Sequence, residues 1–301
     1  AACLKLYDGH DWKWFRAGLL HTDMEYLRRH WSGKKSSAPV LEKRHQKYYL
    51  RFSYTEEVTL SKTPVKDQLI CSVDLGINTD AVCSIMRSDG TVLDRKFINF
   101  PSEKDRLSHV LGRIRRFQKE HSSKQIGSRW AYAKRLNTEL ARKTARSIAE
   151  YAHENHADVI VFEYLEMKGK ISGKKQQKLH LWKKREIQTM CEHKAHRYGI
   201  RVSRVCTWNT SRLAYDGSGP VSRDPKNHSL CVFRSGKQYN CDLSASYNIG
   251  ARYWIREIIK TLPETERSSL EAKVPAVKRR TSCVYADLLI IQNEYGCSKA
   301  A

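Results

Sequence analysis

Two short, almost unbroken apolar runs constrain this chain most: QLICSVDLGI at residues 68–77 and ADVIVFEYL at residues 157–165. A strand with one solvated face alternates apolar and polar side chains, whereas a strand covered on both faces reads as a continuous run. Such strands need helices on both sides of their sheet, so the expected fold class is α/β. AVCSIMRS and TVLDRKFINF follow the first run, joined by Ser88, Asp89 and Gly90, and predict a three-strand meander. A further strand is expected at IRVSRVCTW.

Between the two runs the spacing is helical. Leu107, Val110, Leu111 and Ile114 share one face, and Leu136, Leu140, Ile148 and Ala152 another, with Gly127 separating two helices. A helix is expected from about Leu179 to Tyr198, stopped by Gly199, with Trp182 on its core side. Another runs from Asp242 to Leu262 and ends at Pro263. Residues 207–240, rich in Ser, Gly, Asn and Asp, read as an irregular insertion. Residues 1–66, with KYYLRFSYTEEVTL, read as a small β-rich domain. They open without an initiator methionine and are expected to be incomplete at the N-terminus. Residues 67–206 form the core with its helical insertion, and residues 241–301 its C-terminal part, where AVKRRTSCVYADLLII predicts a basic turn and a packed helix.

Lys and Arg number 55 against 32 Asp and Glu, a formal net charge of +23. That excess exceeds what solubility requires and points to a polyanionic partner. No run is long and apolar enough for a transmembrane helix, and AACLKLYDGHDWKW lacks signal-peptide order, so a soluble, cytoplasmic protein without a membrane partner is expected. The 9 cysteines form no CxxC pair, and Cys71, Cys83 and Cys206 sit in apolar runs, as free thiols do in a reducing compartment.

Three carboxylates stand at the edges of these elements. Asp74 closes the first buried run, Glu163 closes the second, and Asp242 opens a helix. Singly, each has an ordinary explanation: a turn aspartate, a solvated edge charge, a helix N-cap. Together they supply the oxygen ligands that phosphodiester hydrolysis by two hard divalent cations about 4 Å apart requires.

At these residues the chain resembles TnpB, the RNA-guided nuclease of insertion sequences, a family related to the type V CRISPR effectors and the eukaryotic Fanzor proteins. VDLGINTDAVCSI is similar to its first catalytic motif, VFEYLEMKGK to the second and CDLSASYNIGARY to the third. LWKKREIQTMCEHKAHRYGIRVSRV, leading into WNTS, resembles the tryptophan-bearing helix and strand between the last two. The resemblance covers about residues 66–262. It implies an RNase H-like (RuvC) mixed sheet with helices, preceded by a small β-rich wedge-type domain that grips guide RNA. It further implies Asp74, Glu163 and Asp242 as ligands of Mg2+ or Mn2+, and guide RNA and double- and single-stranded target DNA as partners. The expected location is a prokaryotic cytoplasm, at the nucleoid when on DNA. Residues 1–66 offer no counterpart of the family's helical recognition lobe.

The departures concern the insertion. Where the family carries two CxxC pairs around zinc, TSRLAYDGSG has Ala214 and Gly217. Cys206, His228, Cys231 and Cys241 remain as weak zinc candidates in no known ligand spacing, and Cys241 stands where arginine is common. A degenerate, metal-free target-loading insertion is expected. Ser244 replaces the usual asparagine, while Asn248 persists.

Arg113, Arg116, Arg129, Lys134, Arg135 and Arg142 recur among Phe117, Trp130 and Tyr132, a pattern suited to phosphate neutralisation and base stacking. Lys174 and Lys175 belong to a lysine- and glycine-containing stretch after Glu163, expected to guide a strand to the metals. Two rival functions use the same residues: a guide-directed DNA-binding protein with weak or no cleavage, and a guide-independent resolvase or transposase.

Overall fold

The computed structural model describes residues 1–44, 46–120, 126–164, 182–225, 227, 229–279 and 281–295. The chain divides into two compact units, Ala1–Val58 and Thr59–Ala301.

In the first unit, β1 (Ala2–Tyr7) and β2 (Trp12–Ala17) form an antiparallel hairpin, followed by helix α1 (His21–Trp31). Strand β3 (Lys35–Ser36) pairs with β6 (Tyr54–Thr55), and β4 (Val40–Arg44) with β5 (Lys47–Arg51). These are separate two-stranded sheets, so the described strands close no barrel. The unit ends at Val58 and not at residue 66 as expected. The next residues are tied into the second unit: the Ser61 N–H donates to Gly199 O at 2.7 Å, and the Ser61 and Thr63 hydroxyls donate to Asp158 Oδ1 at 2.6 and 2.5 Å.

The second unit is built on a five-stranded mixed sheet. Strands β7 (Leu69–Asp74), β8 (Ala81–Arg87) and β9 (Val92–Ile98) form the antiparallel meander. Helices α2 (Pro101–Glu120) and α3 (Gly127–Glu154) lead to β10 (Val159–Tyr164), and α4 (Lys184–Arg197) leads to β11 (Arg201–Cys206). β10 is parallel to both β7 and β11, which makes the order β11-β10-β7-β8-β9. Asp158 aligns the parallel pair by accepting the Leu69 N–H at 2.9 Å.

Successive residues of β7 enter opposite cores. Cys71 and Val73 join Ile148, Phe162, Ile187 and Cys191 on the face covered by α3 and α4, whereas Ile70 joins Val161, Tyr247 and Trp254 on the other. This two-sided burial is what the continuous apolar run required. The second face is covered by helix α5 (Cys241–Thr261). Its Gly250 lies so close to the sheet that a Cβ there would stand 3.0 Å from Met86 Cε and 3.2 Å from Ser72 Oγ. A separate cluster of Leu107, Val110, Leu111, Ile114 and Ala133 joins α2 to α3, on the expected face.

Residues 207–240 are less irregular than expected. They contain a three-stranded antiparallel sheet, β12 (Ser222–Arg223), β13 (Leu230–Val232) and β14 (Gln238–Asn240), around Ala214, Cys231, Phe233 and Cys241. Strands of two or three residues are too short to display a period, which hid them in the sequence.

Helix α5 (Cys241–Thr261) stops ahead of Pro263, and α6 (Glu264–Lys273), α7 (Ala276–Arg279) and α8 (Tyr285–Tyr295) complete the unit. Leu288 and Ile291 of α8 are buried in the core beside Trp254. Among the described residues no helix is long and apolar enough to cross a membrane.

Candidate active site

Asp74 is the last residue of β7 and Glu163 the penultimate residue of β10. The parallel pairing of these strands runs to Val161↔Ser72, and each carboxylate lies two residues beyond that pair. Both therefore stand at the carboxyl edge of the sheet where the strands part, the usual position of a crevice in an α/β fold. Asp242 is the second residue of α5. The cap of that helix is Asn240, whose side chain accepts the Leu243 N–H at 2.9 Å, so the Asp242 carboxylate is not used as the cap.

Asp74 is 8% exposed. Burial pushes its carboxyl well above the usual aspartate range, the charges of Glu163 and then Asp242 push it further, and the Arg223 guanidinium pulls it back. Burial also raises Glu163, against the opposing hydrogen bond from Thr210 and the charges of Arg252 and Lys184. Burial raises Asp242, with Arg223 again opposing. Asp74 thus feels both other carboxylates, and its surroundings favour a proton or a cation over a bare negative charge.

Their donor set is carboxylate oxygen, which suits a hard divalent ion such as Mg2+ or Mn2+. Among the described residues, no three His, Cys, Asp or Glu side chains converge closely enough to hold a metal ion by themselves. That is compatible with Mg2+ chemistry, because this ion is commonly held by one or two carboxylates, waters and substrate phosphate oxygens, without an all-protein cage.

Neighbouring polar groups brace the cluster. The Thr210 hydroxyl donates to Glu163 Oε1, and Gln188 Nε2 donates to the Glu163 backbone carbonyl at 2.8 Å. Asn209, just before Thr210, has φ +60°, a left-handed conformation that asparagine tolerates better than most residues. Arg223 reaches the Ser211 carbonyl at 3.3 Å. Sequence reasoning did not single out Thr210 or Arg223. Thr210 had a signal in WNTS, whereas Arg223 lies in a segment without periodicity. Ser244, at the position of the family's asparagine, accepts the Tyr215 N–H at 3.2 Å.

The basic candidates Arg113, Arg116, Arg129, Lys134, Arg135 and Arg142 are all exposed on α2 and α3. The Arg129 guanidinium lies 4.6 Å from the Phe117 ring centroid and that of Arg135 5.9 Å from Tyr132, while Arg142 pairs with Glu139 at 3.7 Å. Arg113, Arg129 and Tyr132 line a cleft of about 290 Å³ between the two helices. Lys174 and Lys175 lie outside the described residues. Trp182, expected in the core, is half-buried against the α3–α4 face.

Of the zinc candidates, the structure brings Cys231 and Cys241 together. Both are buried, and burial plus the Cys241 contact push the Cys231 thiol up to about 12. Cys206 is exposed at the end of β11, and His228 lies outside the described residues.

Residues 185–249, which hold α4, the insertion and the start of α5, match the family described as Cas12f1-like, TNB domain. A TnpB-like protein of Aquifex aeolicus (strain VF5) is 26% identical over 74% of this chain and 79% of its own length. A TnpB-like protein of Acidianus two-tailed virus is 28% identical over 61% of this chain and 42% of its own. Among solved structures, a Cas12f1–sgRNA–target DNA complex matches with TM-score 0.47 and 21% identity, covering 69% of this chain and 54% of that one. A CRISPR–Cas12f ternary complex matches with TM-score 0.47 and 19% identity, over 76% of this chain and 48% of that one. This chain therefore spans about half the length of these two solved chains. The matched segment includes Asp242, and over 74% and 61% of its length this chain is similar to the two TnpB-like proteins.

Proposed function

We propose that this chain is an RNA-guided DNA endonuclease whose RNase H-like (RuvC) core cuts phosphodiesters with divalent metal ions held by Asp74, Glu163 and Asp242. The observation that supports this reading is that Asp74, buried at the end of β7, feels the charges of Glu163 and Asp242, two half-buried carboxylates from distant parts of the sequence. A buried cluster of like charges is costly unless a cation compensates it, so it points to a functional site. The sheet order supports the RNase H-like reading, since an antiparallel meander continued by two parallel strands places Asp74 and Glu163 on neighbouring strands.

Bound Mg2+ or Mn2+ would stabilise the charge that develops on the phosphate oxygens during hydrolysis. The chain's own residues do the rest. Asp74 and Asp242 present oxygen ligands from a rigid strand and a helix start, and Glu163 is oriented by Thr210 and Gln188. Arg223, whose charge already acts on Asp74 and Asp242, is placed to bind a phosphate oxygen of the substrate.

The partners in this reading are a guide RNA and the DNA it pairs with. The exposed arginines and lysine of α2 and α3 neutralise backbone phosphates, residues 1–58 act as a wedge-type RNA-gripping unit, and residues 207–240 load target strands without zinc. The test is plasmid cleavage by the chain with the RNA that copurifies from its native locus, in Mg2+. Guide-dependent cutting by the unaltered protein and none by Asp74→Ala is expected. Equal products from both proteins would end the nuclease reading, and cutting of branched DNA without any RNA would replace it with a resolvase.

A further inference from the structure

We infer that the C-terminal segment, residues 281–295, is part of the metal-binding apparatus: through Asn248 and Thr210 it positions the Glu163 carboxylate. The inference rests on the reading of Glu163 as a metal ligand. It gives a function to a stretch that the sequence left without one.

The chain of contacts begins at Glu163. The Thr210 hydroxyl has one proton and two acceptors within reach, Glu163 Oε1 and, at 3.2 Å, the Thr207 carbonyl. The carboxylate is the nearer, and a charged acceptor gives the stronger bond. Thr210 is 2% exposed, and its carbonyl accepts Asn248 Nδ2 at 3.0 Å. Asn248 is fully buried on α5 and uses its whole amide. The second Nδ2 proton goes to Leu213 O at 2.9 Å, and Oδ1 accepts the Tyr285 N–H at 3.0 Å. Turning the amide over would set its oxygen against two carbonyls and its NH2 against an N–H, so this orientation is the only one the surroundings allow.

Tyr285 is the first residue of α8, where a helix leaves its N–H without an internal partner. Donating it to Asn248 costs the helix nothing and fixes where the helix starts. The Tyr285 hydroxyl, donating to Gly90 O at 2.7 Å, anchors the same residue to the turn between β8 and β9.

A second connection runs in parallel. Arg252, 4% exposed, donates from Nε to Cys283 O at 2.9 Å and from Nη1 to Cys206 O at 2.7 Å. Cys206 ends β11 and immediately precedes the loop that carries Thr210. The tail is therefore bonded to the helix that bears Asp242 and, through that helix, to the loop that orients Glu163.

Thr210, Asn248 and Tyr285 act through Glu163, so they are positioning residues, and metal affinity reports on them more directly than turnover does. The experiment titrates Mn2+ alone into the full chain and follows free Mn2+ by electron paramagnetic resonance. Thr210→Val is expected to weaken Mn2+ binding by about 10- to 100-fold, the usual cost of losing an outer-shell partner, and Thr210→Ser to restore it. Tyr285→Pro removes the N–H at a helix position that tolerates proline, and is expected to weaken binding by about tenfold. Tyr285→Ala keeps the N–H while losing the hydroxyl anchor to Gly90 O, and should weaken Mn2+ binding less than Tyr285→Pro does. The double variant Thr210→Val with Tyr285→Pro should bind no more weakly than Thr210→Val alone, because both act on one chain of contacts. If Tyr285→Pro does not fold, Asn248→Ser, which breaks the same chain at its centre, carries the same expectation.

Wild-type affinity in Thr210→Val, or equal affinity in Tyr285→Pro and Tyr285→Ala, would overturn the inference while the metal reading stood. The comparison that separates the two is Glu163→Gln. If that variant binds Mn2+ as tightly as the unaltered chain, the metal reading falls and takes the inference with it.

Discussion

The two units of this chain differ in how their side chains are buried. Among the described residues of Ala1–Val58 none is buried, and Trp12, Trp14 and Tyr48 stand 58%, 70% and 66% exposed. In Thr59–Ala301 a five-stranded sheet is covered on both faces, and Phe162 and Trp254 are fully buried. A buried carboxylate cluster can exist only in the second kind of structure. Holding like charges away from water requires a scaffold whose own packing exceeds the electrostatic penalty. The first unit is built as a surface, with aromatic rings held on short hairpins.

The largest effect that would break this comparison is chemical. In guide-dependent plasmid cleavage, Asp74→Ala, Glu163→Gln and Asp242→Asn should each lower the rate by at least about a thousandfold, with circular dichroism unchanged. Arg223→Ala should follow with a loss of about a hundredfold. A variant of this group that cuts at the unaltered rate removes its residue from the site.

The next effect is on folding. Trp254 sits at the centre of the core between α5 and the sheet, packed edge-on against Tyr253 at 5.2 Å. Trp254→Ala should cost about 3–5 kcal/mol in urea unfolding, from lost transfer energy and the cavity left behind. A cost under about 1 kcal/mol would mean that this face of the sheet is not the rigid support the site needs.

The sequence made parts of this scaffold legible for a physical reason. A strand buried on both faces must be continuously apolar, so β7 and β10 stood out, and an acidic residue closing each run was conspicuous against it. Helix α5 showed its period over many turns, and Pro263 marked its end. The three strands of residues 207–240 were hidden because two or three residues cannot display alternation. Arg223 was hidden with them, since a lone arginine in a polar segment resembles any solvated cation. Thr210 acts by the direction of one hydroxyl bond, which depends on the left-handed turn at Asn209 and on Asn248 from another helix. The first compact unit ends at Val58, whereas the sequence runs the first domain on to residue 66, and Ser61 and Thr63 bond to Asp158, a partner distant in sequence.

A smaller effect follows from the raised carboxyls. Asp74 binds a proton more tightly in the folded chain than in the unfolded one, so its stabilising contribution is greatest below the ordinary aspartate value of 3.8 and is lost as the pH rises through the raised value. Without divalent ions the chain should therefore lose stability as the pH rises above 3.8. Asp74→Asn should flatten that slope and be the more stable of the two at the upper end of the range, an instance of stability traded for function. Added Mg2+ should raise the melting temperature of the unaltered chain and not that of Asp74→Asn. Thermal melts in chelator and in Mg2+ across this range decide it. A slope that Asp74→Asn leaves intact would place the pH-sensitive group elsewhere.

The smallest effect tests the other side of the comparison. Trp14 pairs across the hairpin with Lys5 and shares a strand face with Trp12, which lies 5.8 Å from the Tyr7 ring. An indole this exposed has already kept most of its contact with water, so removing it forfeits little burial and leaves no cavity. Trp14→Ala should therefore change the unfolding free energy by no more than about 0.5 kcal/mol, although it deletes as many atoms as Trp254→Ala. Equal costs at the two positions would show that Trp14 is covered in the free chain, and the first unit would then have a core of its own.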